Sequence, residues 1–302
     1  MAQMAVKSDW NVRDHVPLKD FKIQAHRGAG DLAEENTLEA FQLGWKMGCI
    51  PESDLRTTKD GIIVAFHDGN FSRVVKNVTP DMKSKGVKDV TFAELEKLDV
   101  GSYHGEKFAG RHVSKMSDVF ALMTGKPDRQ LYLDIKNVSL PELAKLVVDA
   151  KVESQVILAS TKYDIIRSWK KLVPQSQTLQ WMGGTEEYLE GRFAELRKTD
   201  FADVTQLQIH VNIKGAVGTK VEPKFIDAVK RDSVDPFKES DTFLLTKAAE
   251  VRGHGILIQT LPWGATSKAV YWKLMDLGFM SFATDHPDVT QDAVKAYYAE
   301  KQ

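Results

Sequence analysis

The feature that most restricts the fold is a rhythm. Eight short apolar, β-prone runs, at 21–25, 50–55, 131–135, 156–159, 178–182, 207–211, 256–260 and 280–284, alternate with longer amphipathic stretches. Those stretches, among them 37–47, 140–151, 163–172, 186–198, 223–232 and 267–277, repeat their apolar residues at helical spacing. Strict alternation of this kind predicts parallel βα units, and eight of them close a (β/α)₈ barrel. A doubly wound open sheet would carry a glycine-rich fingerprint opening a helix after its first strand, whereas Gly28-Ala29-Gly30 lacks both the third glycine and the immediate helix.

A chain of 302 residues is a normal length for one such barrel, so a single catalytic domain over 1–302 is expected. The rhythm breaks once, between His67 and Lys115, in a stretch of turn signals and mixed charge with one short helical pattern at 91–98. We read residues 69–114 as a small insertion on the barrel's upper face, with no second core.

Hydrophobic residues make up 42% of the chain and charged residues 27%, the balance of a globular protein with a large core. The 41 basic and 42 acidic residues nearly cancel, and no Lys/Arg block stands out, so nucleic acid is not an expected partner and any anion must be met by a local site. No run approaches the roughly 18 apolar residues that a membrane-spanning helix needs. The first twenty residues lack the apolar stretch of a signal peptide, which leaves open a cytoplasmic protein and the mature form of an exported one. The single cysteine, Cys49, cannot form an internal disulfide and is predicted to be a buried thiol.

Strand interiors of a parallel barrel are expected to be apolar, with charge tolerated chiefly where strand C-terminal ends open into a site. The first run ends in His26-Arg27-Gly28, and the second carries Glu52 and Asp54, two apart and so on one face. A short apolar run at 62–66 ends in His67-Asp68-Gly69, and the third strand carries Asp134 and Lys136, again two apart. Each residue alone has an ordinary structural explanation, such as a hydrogen-bonded histidine or an exposed edge pair. Together, two histidines, three carboxylates and two cations at neighbouring strand ends suit a hard divalent cation and a phosphate.

The order His26-Arg27-Gly28, Glu35-Asn36-Thr37, Glu52-x-Asp54, Thr58-x-Asp60-Gly61, Val64-x-x-His67-Asp68, Leu133-Asp134-Ile135-Lys136 and Thr284-Asp285-His286-Pro287 resembles the signature of the glycerophosphodiester phosphodiesterase family. The resemblance implies a (β/α)₈ barrel with an inserted segment, acting on a small-molecule glycerophosphodiester to give an alcohol and glycerol 3-phosphate. It implies one divalent cation, Mg²⁺ or Ca²⁺, held by Glu52, Asp54 and Asp134. His26 and His67 would be the acid and base, and Arg27 and Lys136 would contact the phosphate. Two departures stand out: the family's usual Glu is Asp134 here, a carboxylate one methylene shorter that can reach the metal through water or shift toward Lys136, and its usual proline before Glu35 is Glu34, read as a surface change.

Two other readings share this barrel. One is a phospholipase D-like lyase of the sphingomyelinase D type, often disulfide-bonded, against which the single cysteine counts. The other is a non-catalytic phosphodiester-binding relative, against which both histidines count. Trp181, Trp263, Phe71 and Tyr103 are assigned to packing before any role in a substrate pocket, and nothing beyond its position supports a role for His210.

Overall fold

The computed structural model describes residues 5–76, 78–216 and 221–300. Among the described residues there are nine strands: β1 Lys22–Ala25, β2 Ile50–Thr57, β3 Ile63–Ala65, β4 Leu131–Asn137, β5 Val156–Ser160, β6 Gln177–Met182, β7 Gln206–Val211, β8 Leu257–Pro262 and β9 Ser281–Thr284. They are hydrogen-bonded in the order β1-β9-β8-β7-β6-β5-β4-β2-β3, with β1 also pairing with β2. The ring of eight parallel strands therefore closes, with helices between successive strands, and the fold is the expected TIM barrel. The run at 62–66 becomes β3, which lies outside the ring and pairs antiparallel with the end of β2, Leu55 opposite Ala65. That pairing carries β2 two residues past its predicted end.

Chain contacts group into two compact units, residues 25–178 and residues 1–24 with 179–302. In the first, β2 and β4 run side by side with Asp54 directly opposite Asp134, and β4 continues onto β5. The helix Leu38–Lys46 begins where the Thr37 hydroxyl accepts from the backbone N–H of Ala40, and it buries Ala40, Phe41 and Gly44.

The segment after β3 departs from expectation. Phe71, Val74, Val75, Val87, Val90, Leu95, Leu98, Val100 and Val113 bury one another with Val64 and Phe66, so this stretch has an apolar cluster of its own. Its apolar residues follow no single period because its helices, Pro80–Ser84 and Phe92–Leu95, are one turn each. Phe71 is core, as assigned.

The second unit shows another departure. Gln24, Gln208 and Gln259 are buried in β1, β7 and β8, where apolar side chains were expected. The amides satisfy one another: Gln208 donates to Gln24 Oε1 at 3.1 Å and to Gln259 Oε1, while Gln259 donates to Ser281 Oγ at 2.9 Å. Buried amides are tolerated when hydrogen-bonded in this way. The helical pattern at 223–232 stops at Ala228, and the helix Asp241–Gly253, capped by the Ser240 hydroxyl, follows further along the chain. Asp241 pairs with Lys273 at 2.6 Å, both fully buried. Among the described residues no helix is long and apolar enough to cross a membrane.

Candidate active site

All seven residues picked from the sequence fall in unit 25–178, and the site grows from the β2–β4 pair. On β2, Glu52 and Asp54 share a face by the two-residue period, while Ser53 points the other way to Met116 Sδ at 3.5 Å. Glu52 and Asp54 are 2% and 1% exposed, a depth at which carboxylates need compensation. Asp134 is level with Asp54 on the neighbouring strand, and one carboxylate oxygen from each of Glu52, Asp54 and Asp134 lies within 4.8 Å of the others.

Lys136, two residues along β4, reaches across this trio to Asp134 Oδ2 at 2.8 Å and Asp54 Oδ1 at 3.0 Å. Asp134 is thus paired with Lys136 and also belongs to the carboxylate cluster. Its three neighbouring acids hold the Lys136 ammonium well above the ordinary lysine range, against the effect of burial.

The turn after β1 is shaped around the same acids. Arg27 sits at a φ of 53° and Gly28 at 112°, and this left-handed turn points the Arg27 amide at Glu52 Oε2, 2.7 Å away. The Arg27 guanidinium donates to Glu35 at 3.0 Å and lies 3.7 Å from Asp54. Asn36, also left-handed, locks onto Asp54 twice: its amide donates to Asp54 Oδ2 at 2.8 Å and its carbonyl accepts from the Asp54 N–H at 2.9 Å.

Burial, and then the charge of Asp54, push the Glu52 carboxyl up to about 8, with the imidazole of His26 pulling the other way. For Asp54, burial is outweighed by Lys136, His67, Arg27 and His26, which together hold it below the usual carboxylate range. One oxygen of the trio, Asp54 Oδ1, is buried and accepts no hydrogen bond, its nearest cation being the Lys136 ammonium at 3.0 Å in an ion pair. Three clustered carboxylates supply hard oxygen donors that fit a divalent cation.

His67 follows β3. Its Nδ1 lies 2.7 Å from Asp68 Oδ1, and its carbonyl accepts from the Arg56 guanidinium at 2.7 and 3.1 Å. A carboxylate at Nδ1 selects the tautomer protonated there and leaves Nε2 as the basic nitrogen.

Asp68 also accepts two bonds from Arg73, and Arg73 makes a second fork to Glu35, which in turn contacts the Tyr103 hydroxyl at 3.2 Å. Arg73 and Tyr103 lie in the segment after β3, where no periodic signal distinguishes them from its other charged and aromatic residues. Tyr103, assigned to packing, contacts the apolar cluster and is also a polar partner of Glu35. Glu34 corrects another reading. It is 1% exposed and binds Arg111 at 3.0 Å and the Thr37 hydroxyl at 3.2 Å, so it is a buried latch rather than a surface substitution.

The aromatic residues of the other unit pack among themselves. His210 lies flat on Trp181 at 4.8 Å and edge-on to Trp263 at 5.3 Å, and its Nε2 contacts Gln208 at 2.8 Å.

Residues 26–289 match the model of the glycerophosphoryl diester phosphodiesterase family. A glycerophosphodiester phosphodiesterase of Caldanaerobacter subterraneus is 34% identical over 159 residues, which make up 50% of this chain and 63% of that protein. One from Bacillus subtilis is 24% identical over 291 residues, 90% of this chain and 86% of that protein. The structure of an Oleispira antarctica phosphodiesterase in complex with sn-glycerol-3-phosphate superposes with a TM-score of 0.65 at 20% identity, covering 95% of this chain and all of that one. With a family match across most of its length, this chain belongs to the glycerophosphoryl diester phosphodiesterase family, whose members are phosphoric diester hydrolases.

Proposed function

We propose that the protein hydrolyses glycerophosphodiesters to an alcohol and glycerol 3-phosphate, with one divalent cation, Mg²⁺ or Ca²⁺, held by Glu52, Asp54 and Asp134. The observation that carries this reading is the carboxylate trio, with Glu52 and Asp54 buried and Asp134 half-buried, flanked by two cationic side chains and two histidines. When bound, the cation would withdraw charge from the phosphate. Arg27 and Lys136 add positive charge on the same side, where a diester's non-bridging oxygens develop negative charge during cleavage. His67, fixed with Nδ1 toward Asp68, offers Nε2 to take a proton from the attacking hydroxyl. His26 then protonates the departing alkoxide. The attacking hydroxyl is that of water or the substrate's own glycerol 2-hydroxyl, and the second route passes through a cyclic phosphate.

The test is a panel of glycerophosphodiesters bearing choline, ethanolamine, glycerol or inositol, assayed with each cation and with excess chelator. Glycerol 3-phosphate and free alcohol are expected only with a cation present, and transient cyclic phosphate marks the internal nucleophile. His26→Ala and His67→Ala are expected to keep the native melting temperature and to lose about 10²–10⁴-fold in kcat. Full activity in chelator overturns the metal site, and release of phosphomonoester from no substrate overturns the reaction.

A further inference from the structure

Arg73 belongs to the segment after β3, outside the strand ends that carry the residues discussed above, yet it bridges two carboxylates beside them. Its Nε and Nη2 donate to Asp68 at 2.7 and 2.9 Å, and its Nη1 and Nη2 donate to Glu35 at 2.7 and 2.6 Å. These are two carboxylate forks on one guanidinium. One oxygen of each carboxylate is shared with an active-site side chain: Asp68 Oδ1 also lies 2.7 Å from His67 Nδ1, and Glu35 Oε2 also accepts from Arg27 Nη1 at 3.0 Å.

Tyr103, from the same segment, closes the arrangement. Its hydroxyl touches Glu35 Oε2 and accepts from the Glu35 N–H, both at 3.2 Å, and its ring lies 5.9 Å from the Arg73 guanidinium carbon. An isolated surface ion pair constrains little. Here Glu35 and Asp68 are 14% and 19% exposed, and the planar fork of arginine fixes both the distance and the angle between them.

We propose that Arg73 is a positioning residue of the active site, holding His67 through Asp68 and Arg27 through Glu35 so that both face the reacting phosphate in register. The inference rests on the roles given to His67 and Arg27 above. It assigns a function to the inserted segment, which delivers Arg73 and Tyr103 and whose own apolar cluster supplies the rigidity that positioning requires. Val74 and Val75, next to Arg73, are 2% and 1% exposed within that cluster, so the side chain departs from an anchored backbone.

The experiment compares Arg73→Met, Arg73→Lys and Arg73→Ala with a control in the same segment, Lys76→Met, whose ammonium donates to the Ser102 carbonyl. Two readouts are taken: steady-state kinetics on the diester panel, and the ring ¹⁵N shifts of His67, which report the tautomer without turnover. For Arg73→Met, kcat is expected to fall about 10–100-fold with KM within about threefold, the cost of misplacing groups by a fraction of an ångström. The His67 ring nitrogens move from a fixed Nδ1–H pattern toward averaged values. Arg73→Lys stays impaired, because one ammonium cannot form both forks, and added guanidinium ion restores Arg73→Ala where ammonium does not. Lys76→Met matches the parent protein.

An unchanged His67 tautomer in Arg73→Met, or a loss confined to KM, overturns the proposal. If Arg73→Met fails to fold, Arg73→Lys decides by the same two readouts. If the parent protein hydrolyses none of the diesters, the reaction assigned above has failed, and the tautomer measurement still judges the positioning role separately.

Discussion

Glu52 combines two demands that pull its proton in opposite directions. Buried beside Asp54, its carboxyl is pushed up to about 8, so at neutral pH the metal-free protein keeps much of it protonated. A cation held by this trio, as proposed, would have to displace that proton, so its apparent affinity would rise with pH and level off above about 8. Titration calorimetry with Mg²⁺ or Ca²⁺ at pH 6, 7 and 8 is expected to show binding that tightens by up to about tenfold per unit, with proton release greatest at the lower pH. Glu52→Gln abolishes the pH dependence together with most of the binding. At this scale the strand-end residues were legible because the two-residue period alone puts Glu52 with Asp54 and Asp134 with Lys136. Arg73 and the burial of Glu34 were not, because each depends on a partner from a distant part of the chain, Glu35 and Arg111 respectively.

The turn after β1 and the helix Leu38–Lys46 meet with almost no space between them. A Cβ on Gly28 would lie 2.7 Å from the Ala40 Cβ, and one on Gly44 would lie 2.3 Å from the Gly28 carbonyl oxygen. Because Gly28 also has a φ of 112°, Gly28→Ala is strained in both torsion and contact, and it is expected to cost about 1–3 kcal/mol in urea unfolding. Since the Arg27 amide holds Glu52, the same variant should weaken cation binding, which calorimetry checks. Among elements, the strands of the ring were readable because each is a short apolar run between helical patterns. The stretch from 69 to 114 was not, since one-turn helices leave no periodicity in which a second apolar cluster can be recognised.

For the chain as a whole, the alternation of strands and helices was enough to reach the barrel, because it constrains connectivity without requiring any single contact to be known. What it could not reveal is how the interior polar groups are compensated. Arg231, just beyond the truncated helix Pro223–Ala228, grips Asp276 at 2.6 and 2.9 Å and Glu300 at 2.7 and 2.9 Å. Burial opposes ionisation of Asp276, but Arg231 and the Tyr297 hydroxyl outweigh it and hold its carboxyl below the usual range. Asp276 therefore binds its proton less readily folded than unfolded, and contributes stability above the unfolded pKa of about 4 that is lost as pH falls through the lower folded value. Urea midpoints of the parent and Asp276→Asn are expected to differ most at pH 6–7 and to draw together as pH falls below the usual carboxylate range; a constant gap overturns this assignment. The lone thiol has a practical consequence of another kind. Cys49 is 4% exposed, immediately before β2 and three residues from Glu52. A thiol reagent must wait for that stretch to open, so the speed of labelling clocks a local fluctuation at one defined place. Any ion that grips only the closed form slows the clock in proportion to its occupancy, which makes the chain its own reporter of cation binding, with no substrate in the tube.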